Sequence, residues 1–210
     1  MATSRTKIKT TSNEFQKLAK KYSTPQKVQS FLRAMEYNAE KGGETLRSAA
    51  SALQIKKAHC MEAAFLAAAI LEYQGYPPLV MSLESIDDLD HVIFVYQQKD
   101  KDGKLKWGSV ARSRDEGLHG RKPIFRSLRD LALSYYEPYI DKTGCITGYQ
   151  IAHLDDAQAD WRYSTKNVWK AEQFLIDIKH VPIKFNKKRY QKIHKRYLSG
   201  IKAKKQFCWL

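Results

Sequence analysis

Residues 57–96 read Lys57-Ala-His-Cys60-Met-Glu-Ala-Ala-Phe-Leu-Ala-Ala-Ala-Ile-Leu-Glu-Tyr-Gln-Gly75-Tyr-Pro-Pro-Leu-Val-Met-Ser-Leu-Glu-Ser-Ile-Asp-Asp-Leu-Asp-His91-Val-Ile-Phe-Val-Tyr. From Cys60 to Tyr73 the run is rich in Ala and Leu and has no breaker, so it predicts a buried helix ended by Gly75. Pro77-Pro78 punctuates, Leu79 to Leu83 reads as a strand, and His91 heads a second run of strongly β-prone residues. A helix of that length rises about 20 Å. A strand over 79–86, at about 3.3 Å per residue, descends by a similar distance. The acidic turn Asp87-Asp88-Leu89-Asp90 then returns His91 to the level of Cys60.

Outward from this unit, Lys104 to Ala111 is the partner of the His91 strand across the Asp102-Gly103 turn. On the N-terminal side, Thr24-Pro25 opens a helix that runs to Lys41 and stops at Gly42-Gly43, and a short helix follows over Glu44 to Leu53. On the C-terminal side a helix spans Ser127 to Tyr136, one strand or two short ones cover Ile146 to Leu154, and Ser164-Thr165 opens a helix to Ile178. Helices, a central antiparallel meander, then helices define an α+β domain. The expected organisation is a disordered arm over 1–12, a domain over 13–180, and a basic helix and tail over 181–210.

The 210 residues are 43% apolar and 11% aromatic, enough for a real core, which excludes disorder as the global state. The longest apolar window, Ala63 to Leu71, is too short for a membrane span, and Met1 to Lys9 lacks the apolar region of a secretory signal. Three cysteines make no disulfide framework, and Cys208 stands third from the end, outside a prenylation box. A cytoplasmic protein is expected. The net charge of +15 is unevenly placed: +6 over residues 1–27, −2 over 28–177 and +11 over 178–210. Phe185, Tyr190, Ile193, Tyr197 and Leu198 recur among the C-terminal basic residues at helical spacing, predicting an amphipathic basic helix. Such ends make nucleic acid or another polyanion a candidate partner, although no helix-turn-helix, zinc finger, aromatic RNA-binding signature or P-loop accompanies them.

The chemistry-bearing constellation is Cys60 with His91. A thiol at a helix N-terminus faces unpaired N–H groups and the positive end of the dipole, which favours the nucleophilic thiolate. The same N–H groups suit an oxyanion, and Lys56, Lys57 and His59 add positive potential. His91, brought level with Cys60, is placed to serve as general base and acid. A type I turn with a glycine bulge at Asp100–Gly103 pairs Asp100 with Lys104. That register sets Ser113 opposite His91, with Ala111 and Asp115 diagonal on the same face; a two-residue turn would set Arg114 there. Ser113 or Asp115 is therefore the expected orienting group.

With those residues in view, residues 25–115 resemble the transglutaminase-like core of the papain-related thiol enzymes. The resemblance is carried by Ala58-His-Cys60-Met-Glu-Ala-Ala, Gly75-Tyr-Pro-Pro78, Asp90-His91-Val-Ile-Phe-Val and Trp107-Gly-Ser-Val-Ala111. It implies a papain-like fold with the nucleophile at a helix N-terminus against a small antiparallel sheet. It also implies a Cys60 thioester with His91 as base, acting on a peptide or amide as protease, amidase or acyltransferase, without cofactor or metal. Ala58 stands where that family has glycine, and Ala111 where it has aspartate, leaving a dyad or a triad completed by Ser113 or Asp115. The alternative is a catalytically reduced fold used as a polyanion-binding or protein-interaction module.

Weaker constellations are read blandly. Asp87, Asp88 and Asp90 form an acidic turn without regular cation-ligand spacing. His59, Cys60 and His91 lack a fourth zinc ligand. Cys145 is a hairpin residue, and Trp161 and Trp169 are packing residues. Arg112, Arg114, Arg121, Lys122 and Arg126 form a charged loop that would, if turned to the site, suit an acidic substrate.

Overall fold

The computed structural model describes residues 12–88, 90–201 and Cys208. Helices α1 (Ser12–Lys21) and α2 (Pro25–Ala34) lead into strand β1 (Glu36–Tyr37), helix α3 (Ala49–Ile55), strand β2 (Lys57–Ala58) and helix α4 (Cys60–Leu71). Strands β3 (Leu79–Ser85), β4 (His91–Lys99) and β5 (Leu105–Val110) follow, then α5 (Leu128–Tyr139), β6 (Ile146–His153), α6 (Trp169–Asp177), β7 (Val181–Pro182) and α7 (Lys187–Leu198). The main sheet is antiparallel throughout, in the order β5-β4-β3-β6-β7, and β1 pairs with β2 in a separate parallel ladder. The fold is α+β, as expected.

Helix α4 is buried along its whole length after Cys60, because apolar residues surround its axis. It lies on β4 and is walled by α1, α2 and α3. Strand β4 is covered on both faces, so it reads as a continuous apolar run. Val92, Phe94 and Tyr96 join the α4 core, and Ile93 and Val95 join a second core under α5 that contains Leu131, Tyr135 and Tyr136. Gly75, at φ +82°, supplies the left-handed stop after α4. Asp88, at φ 57°, turns the chain between β3 and β4, and Leu83 pairs with His91.

The hairpin register is the expected one: Asp100 N–H donates to Lys104 O at 2.9 Å, and Lys99 pairs with Leu105. Pairing nevertheless ends at Val110. The carboxamide of Gln29, buried in α2, replaces the next strand partner. It accepts from Ala111 N–H at 2.9 Å and Gly120 N–H at 3.1 Å, and donates to Ala111 O at 2.8 Å. The chain therefore leaves the sheet before Ser113. Gly120 is required there, since a Cβ would collide with Gln29 Oε1 and the Ser109 carbonyl.

Helix bounds differ most from expectation at three points. Helix α2 ends at Ala34 rather than Lys41, because 36–37 extends to pair with 57–58. Helix α3 begins at its Ser48 cap rather than Glu44, and α6 begins at Trp169 rather than Ser164. In both, the backbone is claimed by tertiary bonds: Val168 N–H goes to Leu46 O, and Ser164 O accepts the Ser48 and Ser51 hydroxyls. Trp161 is fully buried, with its indole N–H on Asp155, but Trp169 is 41% exposed and is not the packing residue expected.

The boundary expected at 180/181 is not a structural one. Val181–Pro182 is the fifth strand, paired to Gly148 and Tyr149, and Ile183 and Ile193 are buried in the second core. The C-terminal helix forms as expected and docks through Ile193 and Tyr190, with Arg189 over the Tyr136 ring, while Phe185, Tyr197 and Leu198 stay exposed. Of the arm expected over 1–12, residues 1–11 lie outside the described residues and Ser12 begins α1; Lys202, Lys204 and Lys205 of the tail also lie outside them.

Gln29→Ala would leave three buried backbone groups without their partner. Each such group costs about 1–3 kcal/mol, so the urea midpoint should drop by the equivalent of about 3 kcal/mol or more. Gln29→Glu, which keeps the acceptor but loses the donor to Ala111 O, should fall in between.

Candidate active site

The sequence motif becomes a site at the head of α4. His59 is the N-cap: its ring Nδ1 accepts from Met61 N–H at 3.3 Å, and its Nε2 donates to Thr45 O at 2.9 Å. Glu62, one turn in, accepts from His59 N–H at 3.1 Å and completes a capping box. Cys60, partly exposed, follows as the first helical residue.

Burial alone would raise the Cys60 thiol pKa, but the imidazoles of His59 and His91, through hydrogen bonding and positive charge, hold it well below the ordinary thiol value. For His59, burial lowers the pKa, but the Cys60 thiolate, the Glu62 carboxylate and the Thr45 carbonyl outweigh it and raise it to about 9. The arrangement supports a thiolate facing an imidazolium near neutral pH.

His91 is 3% exposed and rests edge-on against the Tyr135 ring. Its Nε2 donates to the carbonyl of Leu118 at 2.9 Å, which fixes the tautomer and leaves Nδ1 for the sulfur. The orienting group is therefore a backbone carbonyl, and the expectation of Ser113 or Asp115 is corrected. Because the chain leaves the sheet at Ala111, Ser113 Oγ instead accepts from Asp115 N–H at 3.2 Å, and Asp115 Oδ1 caps Gly117 N–H at 2.7 Å. Both still line the cleft.

The Leu118 carbonyl is itself held. Arg121, 1% exposed, donates to the carbonyls on either side, His119 O and Gly117 O, and stacks 3.8 Å over Tyr135. It also donates to the Cys208 sulfur at 3.0 Å. Arg121 is thus a structural clamp, neither the ordinary loop charge expected nor a substrate-facing cation, and Arg112 is likewise turned to Ser113 O and Met35 O. Arg114 alone of the expected cluster lines the cleft. Cys145 is buried, and burial holds its thiol above the ordinary value, so it is no rival nucleophile.

Sequence reasoning missed Glu62, whose side chain is fully buried. Its two oxygens take Arg47 N–H at 2.9 Å, the Arg47 guanidinium at 3.2 Å, the Asn38 amide at 3.2 Å and the Thr45 hydroxyl at 3.4 Å, besides the His59 N–H. A carboxylate inside an otherwise apolar helix, three residues after a polar cap, was the available signal. Also missed were Tyr37 and Tyr139, on the cleft wall. Burial and the Cys60 charge push the Tyr37 phenol up to about 12 and the Tyr139 phenol higher, so both stay protonated.

The cleft holds about 860 Å³ and is closed on one side by α7, through Ile193, Arg196 and Tyr197. Among the described residues no group of three or more His, Cys, Asp or Glu side chains is arranged to hold a metal ion, and no helix is long and apolar enough to cross a membrane. No protein-family model and no curated protein sequence matches the chain.

His59→Asn keeps a good N-cap and removes the cation. The pH profile of Cys60 alkylation should move upward, because less thiolate forms at a given pH. The rate at neutral pH should fall roughly tenfold, the equivalent of about 1.4 kcal/mol of charge interaction. Mass-spectrometric mapping after limited iodoacetamide reads it, with circular dichroism to verify the fold.

Proposed function

We propose that the protein is a transglutaminase-like cysteine enzyme that transfers acyl groups through Cys60. The observation that carries this reading is the convergence at one cleft of a thiol heading a buried helix, the His91 imidazole that lowers its pKa, and the Leu118 carbonyl that fixes that ring's far nitrogen. The Cys60 thiolate attacks the carbonyl carbon of an amide or ester, and the π pair moves to the oxygen. The Cys60 N–H at the head of α4 is the candidate donor to that oxyanion. Collapse expels the amine or alcohol, which takes the proton from His91 Nδ1, leaving a thioester. His91 then accepts a proton from the acceptor as it attacks the thioester, and returns it to the departing sulfur. Water as acceptor gives hydrolysis, and an amine gives acyl transfer.

The antiparallel sheet, the nucleophile at the N-terminus of the central helix and the histidine at the head of the second long strand support the papain-related class. Ala111, buried and bonded through its backbone to Gln29, supplies no carboxylate. His91 is oriented without one, as a dyad with a carbonyl behind it.

Incubation with p-nitrophenyl acetate tests this. Intact-protein and peptide mass spectra should show one acetyl on Cys60, released on turnover. Cys60→Ala should remove the adduct, and His91→Ala should slow its formation by about a hundredfold or more. Absence of acylation at Cys60, or a His91→Ala rate equal to wild type, would overturn the enzyme reading and favour the polyanion-binding or protein-interaction module.

A further inference from the structure

We infer that the cleft selects a substrate carrying positive charge, a peptide segment with lysine or arginine beside the amide or ester that Cys60 attacks. The inference rests on the acyl-transfer reading and adds the substrate class to it. The chain as a whole carries +15, so its average field favours anions. The cleft has the opposite sign. Among the described residues its wall bears Glu40, Asp87, Asp90, Asp115, Glu116 and Asp141, against Arg114 and the His59 imidazolium, which itself faces the Cys60 thiolate; Glu137 and Arg196 also face it but form an ion pair at 2.9 Å.

Neutral donors hold several of these carboxylates in place, and such donors position a charge without cancelling it. Glu40 takes Thr45 N–H at 2.8 Å, and Asp90 takes Ser85 N–H at 2.8 Å. Asp87 accepts the Ser85 and Thr143 hydroxyls at 2.6 and 2.8 Å, and Asp141 accepts Gly144 N–H at 2.7 Å. Burial, with smaller contributions from Glu84 and Asp88, outweighs the Ser85 bond and His180 and holds Asp90 above the ordinary carboxylate range. A concave wall of one sign focuses its field inward, raising the local concentration of the opposite charge. The acids lie on both flanks of the thiol: Glu40 on the side of His59, and Asp87, Asp90 and Asp141 around the turn that ends at His91. A lysine or arginine side chain on either side of the attacked bond would therefore meet a carboxylate. It would also replace the solvent cations that otherwise screen the wall.

The test reads the field at the sulfur itself. The full-length protein is treated with trimethylammonioethyl methanethiosulfonate, a cation, and with sulfonatoethyl methanethiosulfonate, an anion, and Cys60 modification is timed by peptide mass mapping. In both reactions the thiolate displaces methanesulfinate and forms a mixed disulfide, so the thiolate fraction cancels in the rate ratio. Normalised to mercaptoethanol, the ratio should favour the cation by about tenfold at ~0.01 M ionic strength, where the Debye length is about 30 Å. It should fall toward one at ~1 M, where that length is about 3 Å. Asp87→Asn with Asp90→Asn, which keeps the oxygen acceptors, should lower it at low salt. A ratio near one, or the anion preference that the overall charge would impose, overturns the inference. A Cys60 that reacts with neither reagent overturns it too, because the cleft is then closed to small molecules. A cation-preferring Cys60 that takes no acyl group from p-nitrophenyl acetate supports the charge selection and overturns the acyl-transfer reading alone.

Discussion

The site depends on a single buried carboxylate. Glu62 sits inside the first turn of an otherwise apolar helix, where an ionised group without partners would cost several kcal/mol. Its cost is offset by donors drawn from the preceding chain: Asn38, Thr45, Arg47 and the His59 N–H. Each donor fixes a piece of backbone. Residues 38–47 therefore wrap the head of α4, turning at 41–43, in the stretch between the end of α2 at Ala34 and the start of α3 at Ala49. One of these oxygens, Oε1, stands 3.7 Å from His59 Nε2 and sets a negative charge beside that ring. One residue thus ties the cap of the helix, the path of the chain and the charge beside the nucleophile.

Much of this was legible where local chemistry and tertiary structure agree. The Ala-rich run, its glycine stop and the β-prone run after His91 fixed α4, β3 and β4, and rise-per-residue geometry put His91 level with Cys60. The glycine bulge at Gly103 gave the hairpin register. What was not legible lies where a distant side chain replaces a backbone partner. Nothing in residues 105–115 signals that Gln29, 82 residues away in sequence from Ala111, will take over its hydrogen bonds and divert the strand before Ser113. Similarly, Arg121 in a basic loop reads as a solvated charge, and only the fold sets Gly117 O, His119 O and the Tyr135 ring around it. The C-terminal helix was visible as amphipathic, but which of its apolar residues dock depends on the shape of α5, and Ile193 does while Leu198 does not.

Two histidines act on the one thiol. Burial raises the Cys60 pKa, and His59 and His91 together reverse that balance. The two imidazoles differ in what they can do. His59 is held at Nε2 by Thr45 O, and when its Nδ1 is protonated the ring gives up the Met61 N–H and becomes a positive neighbour of the sulfur. His91 is held at Nε2 by the Leu118 carbonyl, which leaves Nδ1 as the atom that would exchange protons in the proposed reaction.

A carbonyl behind the histidine has a physical consequence that a carboxylate would not. It accepts the Nε2–H and fixes the ring, but it brings no full negative charge to stabilise an imidazolium. In the proposed reaction the Cys60 thiolate faces that ring, and acylation of the sulfur removes its charge, so the proton would pass to the leaving group and the ring would be free to accept one from the deacylating acceptor. The carbonyl must hold still through this cycle, because a shift of Leu118 O would rotate the ring off the sulfur. Arg121 supplies that stiffness by gripping the carbonyls on either side, and its further contact with the Cys208 sulfur ties Cys208 to the loop that aims the His91 ring.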